Sequence, residues 1–217
     1  MKLLIIFLIT IFIILSIYDY YLNSFYIYDR NFLDDKFIEK VNHIVNKDSN
    51  WLYTTNIGND KIKHNNDIDS RRKEAIKKLN KGQLSYSKYE YKNDAPVIKE
   101  INEYLNSGKV LNKVSGLTGK KVTKTTDIFI SKFAPGDFLS THNDTNLGRY
   151  AFIIYLNEKW NKRCGGDLNI ITGSGIHIPI YPEYNKLVLM DIKSSEKPHY
   201  INTVKCGNRY AITGWFM

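Results

Sequence analysis

Apolar positions in the first half of the chain recur at helical spacing, and from about Lys121 onward the period shortens to that of strands. Phe37, Ile38, Val41, Ile44 and Val45 form one helical face behind Asp34 and Asp35, which suit a helix start. Asp48 to Asp69 is polar and Asn-rich, so it reads as loop around a short strand at Trp51 to Thr54. Ser70 to Leu79 reads as a second helix with a basic outer face. Asp94-Ala95-Pro96 opens a third, with Ile98, Ile101 and Leu105 on one side and Gly108 at its end. The strand-like segments follow as Val122–Phe133, Phe138–His142, Arg149–Leu156, Asp167–Ile171, Gly175–Ile180, Lys186–Ile192, His199–Val204 and Arg209–Phe216. Gly and Pro punctuate them, as at Pro135-Gly136 and Gly165-Gly166. Helices followed by a run of short strands predict an α+β chain. The expected form is a double-stranded β-helix, or jelly roll, with the N-terminal helices packed on it.

A separate pattern precedes these elements. Leu3 to Tyr18 is apolar except for Thr10 and Ser16, close to the lower length that spans a bilayer. Tyr18, Tyr20, Tyr21, Tyr26 and Tyr28 follow it and suit an interfacial aromatic belt. No small-x-small cleavage site follows the run, which favours an uncleaved anchor over a signal peptide. The expected organisation is a membrane anchor over 1–20, a helical support region over 21–110 and a catalytic β-region over 111–217, the last two forming one domain. The flanking charges, Lys2 against Arg30 and Lys36, assign no side of the membrane.

Composition changes this picture little. Of the 217 residues, 43% are hydrophobic and 24% charged, as in ordinary globular chains. The net charge of +9 raises nucleic acid as a partner, but the basic clusters around Arg71-Arg72-Lys73 and Lys120-Lys121 lack interleaved aromatic residues. Nucleic-acid binding is therefore disfavoured. Cys164 and Cys206 are too few for a disulfide framework, and one bridge between them is open.

Candidate chemistry concentrates near the C-terminus. His142 and Asp144 lie two apart, so at a strand end both side chains project to one side. His199, from another strand, completes two histidines and one carboxylate, the facial ligand set of non-haem Fe(II) oxygenases. Arg209 lies at a fixed distance downstream, where it can grip the far carboxylate of a co-substrate chelated on the metal. The only Asn-x-Ser/Thr sequon, Asn143-Asp144-Thr145, overlaps the ligand pair. His177, between Ile176 and Ile178, reads as a structural histidine, and Trp160 and Trp215 read as core or pocket wall.

The surroundings of these residues carry a resemblance. They are Phe133-Ala134-Pro135-Gly136-Asp137-Phe138, Gly148-Arg149-Tyr150-Ala151-Phe152, Gly165-Gly166-Asp167-Leu168, and the ending that holds His199, Arg209 and Trp215. Over about residues 110–217 this order resembles the prolyl 4-hydroxylase-like group of 2-oxoglutarate oxygenases, and most of all the branch with the ribosomal-protein prolyl hydroxylases. The resemblance implies that His142, Asp144 and His199 bind Fe(II), and that Arg209 pairs with the 5-carboxylate of 2-oxoglutarate. It implies also that Tyr155 donates its hydroxyl to that carboxylate. Thr213, on the same strand face as Arg209, is a further candidate donor. O2 and ascorbate are the other expected cofactors, and a proline-containing protein or peptide is the expected substrate. Ala134 departs from the pattern, standing near where many prolyl hydroxylases have a tyrosine. Demethylases of the AlkB type carry a second arginine six residues after the first, where this chain has Trp215. The alternatives are hydroxylation of another residue or a small molecule, and a silent, membrane-tethered jelly-roll binding module. The presence of all four site groups opposes the last.

Overall fold

The computed structural model describes residues 26–217 except 58–59, 65–66, 145–146 and 194–195, together with four positions between 7 and 13. The anchor expected over 1–20 therefore falls almost wholly outside the described residues. Among the described residues no helix is long and apolar enough to cross a membrane.

Twelve described strands join one curled, antiparallel, jelly-roll-like sheet. They are β1 (Ile27–Asp29), β2 (Trp51–Ile57), β3 (Asp60–His64), β4 (Ser85–Tyr91), β5 (Thr125–Phe133), β6 (Phe138–His142), β7 (Tyr150–Tyr155), β8 (Leu168–Ile171), β9 (His177–Ile180), β10 (Leu187–Asp191), β11 (His199–Ile201) and β12 (Arg209–Phe216). The order β1-β10-β7-β12-β5 makes one wall and β6-β11-β8-β9 the facing one. β4 bridges them, pairing Glu90 with Ser131 of β5 on one side and Tyr86 with Leu139 of β6 on the other. All eight strands read from the C-terminal pattern are present, Phe138–His142 and Arg209–Phe216 with the expected ends and the other six with ends shifted by a few residues.

Burial explains the pattern of the first wall. Every residue of β7 is buried. Tyr150, Phe152 and Ile154 face a core shared with the helices, while Ala151, Ile153 and Tyr155 face the barrel interior. The helices that cover the outer side are α1 (Asp35–Lys47), α3 (Pro96–Leu105) and α4 (Gly108–Thr118); α2 (Ile68–Leu79) lies against β2 and β4. Ile38 and Val41 of α1, Ile101 and Leu105 of α3, and Val110 and Val114 of α4 enter that core. Asp34 caps α1 through a bond from Lys36 N at 3.1 Å, and Pro96 stands in the first turn of α3.

Three expectations for the first half need correction. Gly108 does not close the third helix: Asn106 ends α3, and the Ser107 side chain accepts from Val110 N to start α4, which runs to Gly119 at φ 64°. The short strand read at Trp51 to Thr54 is present but runs on to Ile57 as β2, the surrounding segment read as loop supplies its hairpin partner β3, and β2 pairs along its whole length with β4, a strand the pattern did not indicate. Tyr26 and Tyr28, read as part of an interfacial belt, flank and form β1. Tyr26 is 8% exposed inside the barrel, because β1 pairs with Leu187–Leu189 of β10 and turns it inward.

Cys164 and Cys206 form a disulfide. It ties the turn at Lys162–Cys164 to the turn before β12, beside a backbone bond from Lys205 N to Cys164 O at 2.7 Å. Gly165 is required there: at φ 67° it passes so close that a Cβ would lie 2.3 Å from the carbonyl oxygen of Thr203.

Candidate active site

A cavity of about 410 Å³ opens between the two walls of the barrel. His142, Asp144 and His199 lie at one part of its lining, with Arg209 and Thr213 on β12. β6 and β11 pair His142 directly with His199, so the sheet register itself brings the two imidazoles together, ring centroids 4.2 Å apart. Asp144 comes from the turn just beyond β6. Its carboxylate stands 3.5 Å from His142 Nε2 and 3.9 Å from His199 Nε2. One ligand atom from each residue falls within 4.8 Å of the others, a triangle that can hold a metal ion.

Each group of the triangle is held in a ligand-ready state. His142 Nδ1 lies 3.0 Å from the carbonyl oxygen of Ser140, and His199 Nδ1 lies 2.7 Å from that of Lys197. A carbonyl can only accept, so Nδ1 carries the proton and each Nε2 turns a lone pair to the centre. Burial, reinforced by the neighbouring His142, pushes the His199 pKa down to about 4 against the pull of Asp144, so this ring is neutral at neutral pH. Burial alone raises the pKa of Asp144. The neighbours of the carboxylate outweigh it and hold the pKa below the usual range, with the Trp215 N–H as the donor in this arrangement, so Asp144 is ionised. Trp215 Nε1 donates to Asp144 Oδ2 at 3.3 Å. The tryptophan read as pocket wall therefore also orients a ligand, a role only the folded distance reveals. Gly148 makes room for it, since a Cβ there would meet Trp215 Cβ at 2.6 Å.

The Arg209 end has a different character. Arg209 is 1% exposed, with its guanidinium carbon 5.2 Å from the Phe133 ring centre and 5.0 Å from that of Tyr155. Among the described residues its Nε and Nη2 are buried with no hydrogen-bond partner. Burial lowers its pKa, countered by Tyr155 and Asp167, yet an arginine stays charged. Asp167 is the nearby carboxylate, but its Oδ2 accepts from Asn169 and Asn202 at 2.7 and 2.8 Å. A buried cation with two unused donors in a cavity wall suits a carboxylate ligand. Tyr155 is fully buried against that guanidinium, and its hydroxyl reaches the carbonyl oxygen of Ile180 at 3.5 Å. Thr213 lines the cavity two positions from Trp215. The cavity lining thus holds five of the six residues singled out from the sequence, while Tyr155, expected to donate to the carboxylate, packs on Arg209 outside the lining with its hydroxyl turned to Ile180. His177 stands apart, bonded to the Tyr200 hydroxyl at 2.9 Å.

The chain also matches known proteins. Residues 128–217 fit the model of the 2OG-Fe(II) oxygenase superfamily. Members of that superfamily use Fe(II), 2-oxoglutarate and O2, and the matched segment here holds the whole triangle and Arg209. Over 173 residues the chain is 30% identical to the prolyl 3-hydroxylase OGFOD1 of Xenopus laevis, covering 70% of this chain and 33% of that protein. The chain thus spans about a third of the length of that relative. Two solved structures share the fold. A 2OG-Fe(II) oxygenase family protein from Burkholderia pseudomallei superposes with a TM-score of 0.62 at 10% identity, covering 89% of this chain and 85% of that one. A Trichoplax adhaerens prolyl hydroxylase, solved with a peptide of hypoxia inducible factor, gives 0.51 at 18% identity, covering 88% and 83%.

Asp137 was not read as important from sequence, being one residue of a Pro-Gly turn. It is fully buried and accepts from Tyr53 Oη, Ser87 Oγ, Arg72 Nε and Ala134 N at 2.9–3.1 Å. Three of these bonds fasten α2, β2 and β4 to the turn that launches β6 and the fourth closes the turn itself, and so they fix the strand that carries His142.

Proposed function

We propose that this chain hydroxylates a protein or peptide at proline, converting 2-oxoglutarate and O2 to succinate and CO2. The observation that carries the reading is the pair of unpartnered Arg209 donors in the same cavity as the His142–Asp144–His199 triangle. The likeness to a prolyl 3-hydroxylase and to a prolyl hydroxylase solved with a peptide supports proline as the target.

His142, Asp144 and His199 would hold Fe(II), which supplies oxygen activation coupled to decarboxylation of the co-substrate. Arg209 grips the 5-carboxylate and sets the length at which 2-oxoglutarate reaches the triangle, with Thr213 as a second donor. Tyr155 braces the guanidinium by burying one face of it. Ile153, Leu168, Met190 and Ile201 give the cavity apolar walls that exclude water from the reacting carbon. Ascorbate is the expected activator.

The apolar run from Leu3 to Tyr18 supports a membrane tether. The Cys164–Cys206 bridge favours an oxidising side for the domain, since disulfides persist there. The test is to incubate the full-length chain with Fe(II), 2-oxoglutarate, ascorbate and proline-bearing peptides, ribosomal-protein-like and collagen-like. Mass spectrometry should find one oxygen added at proline, absent with proline-to-alanine peptides and with His142→Ala. Succinate without peptide oxidation would keep the oxygenase and overturn the peptide reading.

A further inference from the structure

Besides the metal triangle and Arg209, the cavity lining holds one more pair of charged side chains among the described residues. Both come from β4, whose alternate positions Tyr86, Lys88 and Glu90 face the cavity together with Leu84 just before the strand. Lys88 Nζ lies 3.2 Å from Glu90 Oε1, and the two residues are 8% and 3% exposed. The ammonium also sits 4.2 Å from the Phe129 ring centre and 5.2 Å from that of Tyr86.

Such a pair is a costly way to build a wall. Two charges lose their hydration, and apolar residues of equal volume in such a place are often neutral or stabilising by comparison. β7 shows that this fold fills a strand with buried side chains that bear no charge. The pair also stands where β4 bridges the strand of Ser131 and the strand of His142, so it faces the space between the two walls. Its net charge is zero, which selects against neither sign and offers a donor beside an acceptor. The ligand that matches is a neutral dipolar group with a carbonyl and an N–H, namely a main-chain amide.

We propose that Lys88 and Glu90 form a specificity element that holds one main-chain amide of the peptide substrate, Lys88 Nζ donating to the carbonyl and Glu90 accepting from an N–H. The proposal rests on the peptide-hydroxylase reading above. Proline has no N–H, so that donor belongs to a residue beside the target. Arg209, not this pair, serves the co-substrate.

The test uses the full-length chain with Fe(II) and 2-oxoglutarate, and a series of proline-bearing peptides in which single amides are replaced by esters. One ester should lower kcat/KM of the unmodified enzyme by about tenfold. The variant Lys88→Met/Glu90→Leu should lose about tenfold on the all-amide peptide and no longer distinguish that ester, with the KM for 2-oxoglutarate and the thermal midpoint unchanged. Peptide binding by fluorescence anisotropy, with Mn(II) in place of iron, should weaken in parallel. Should the double variant not fold, Glu90→Gln keeps the shape and should lose severalfold against the same peptide alone. A variant with unchanged peptide kcat/KM, or with a raised 2-oxoglutarate KM, would overturn the proposal. An unmodified enzyme that makes succinate but oxidises no peptide would instead overturn the peptide reading, and this proposal with it.

Discussion

At the metal end of the cavity, each imidazole has its second nitrogen fixed by a carbonyl and the carboxylate is oriented by Trp215. At the Arg209 end, by contrast, a charged group is 1% exposed and keeps two donor nitrogens without a partner among the described residues. The first arrangement is complete in its hydrogen bonding and needs only a cation at its centre. The second is incomplete and pays a standing desolvation cost until an anion arrives. One end is therefore built by the sheet register, and the other waits for a ligand that reaches across.

The contrast can be broken at either end, and the effects should differ in size and kind. Asp144→Ala removes a ligand and leaves two imidazoles, so metal retention and succinate formation should both be lost, as read by metal analysis after dialysis and by succinate assay. Arg209→Met should leave metal content intact while raising the KM for 2-oxoglutarate by about 100-fold or more, since two charge-assisted bonds of about 1.5–3 kcal/mol each are removed. Its thermal midpoint should hold or rise, because an unpaired buried charge has gone. Trp215→Phe keeps the ring and loses the N–H to Asp144, which should weaken metal affinity by about tenfold with the 2-oxoglutarate KM little changed. Thr213→Val should cost about threefold in the 2-oxoglutarate KM alone, the size of one neutral hydrogen bond. A Thr213→Val enzyme with wild-type KM would leave Arg209 as the only anchor on β12.

The two halves of the chain differed in the same way in how legible they were. The C-terminal strands run apolar where both faces are buried, as in β7, and alternate where one face is open, so Phe138–His142 and Arg209–Phe216 could be read with their observed ends. His142, Asp144, His199 and Arg209 stood out by residue type and spacing. β4 did not, because its cavity-facing positions include Lys88 and Glu90 and its opposite face carries Ser85 and Ser87. Charges that serve a cavity erase the apolar period by which strands are recognised. α4 was hidden for another reason: Gly108 reads as a helix end, yet here it is the first residue after the Ser107 cap. The ligand-orienting bond of Trp215 and the four-donor hold on Asp137 depend on partners 71 and up to 84 residues away, beyond any local pattern.

The most direct test of a single cavity with a metal at one end and an arginine at the other is a calorimetric titration of 2-oxoglutarate into the full-length chain loaded with Mn(II). The account predicts one equivalent bound per chain, with affinity falling at least about tenfold when a chelator removes the metal. Equal binding with and without metal, or no binding to the metal-loaded chain, would contradict it.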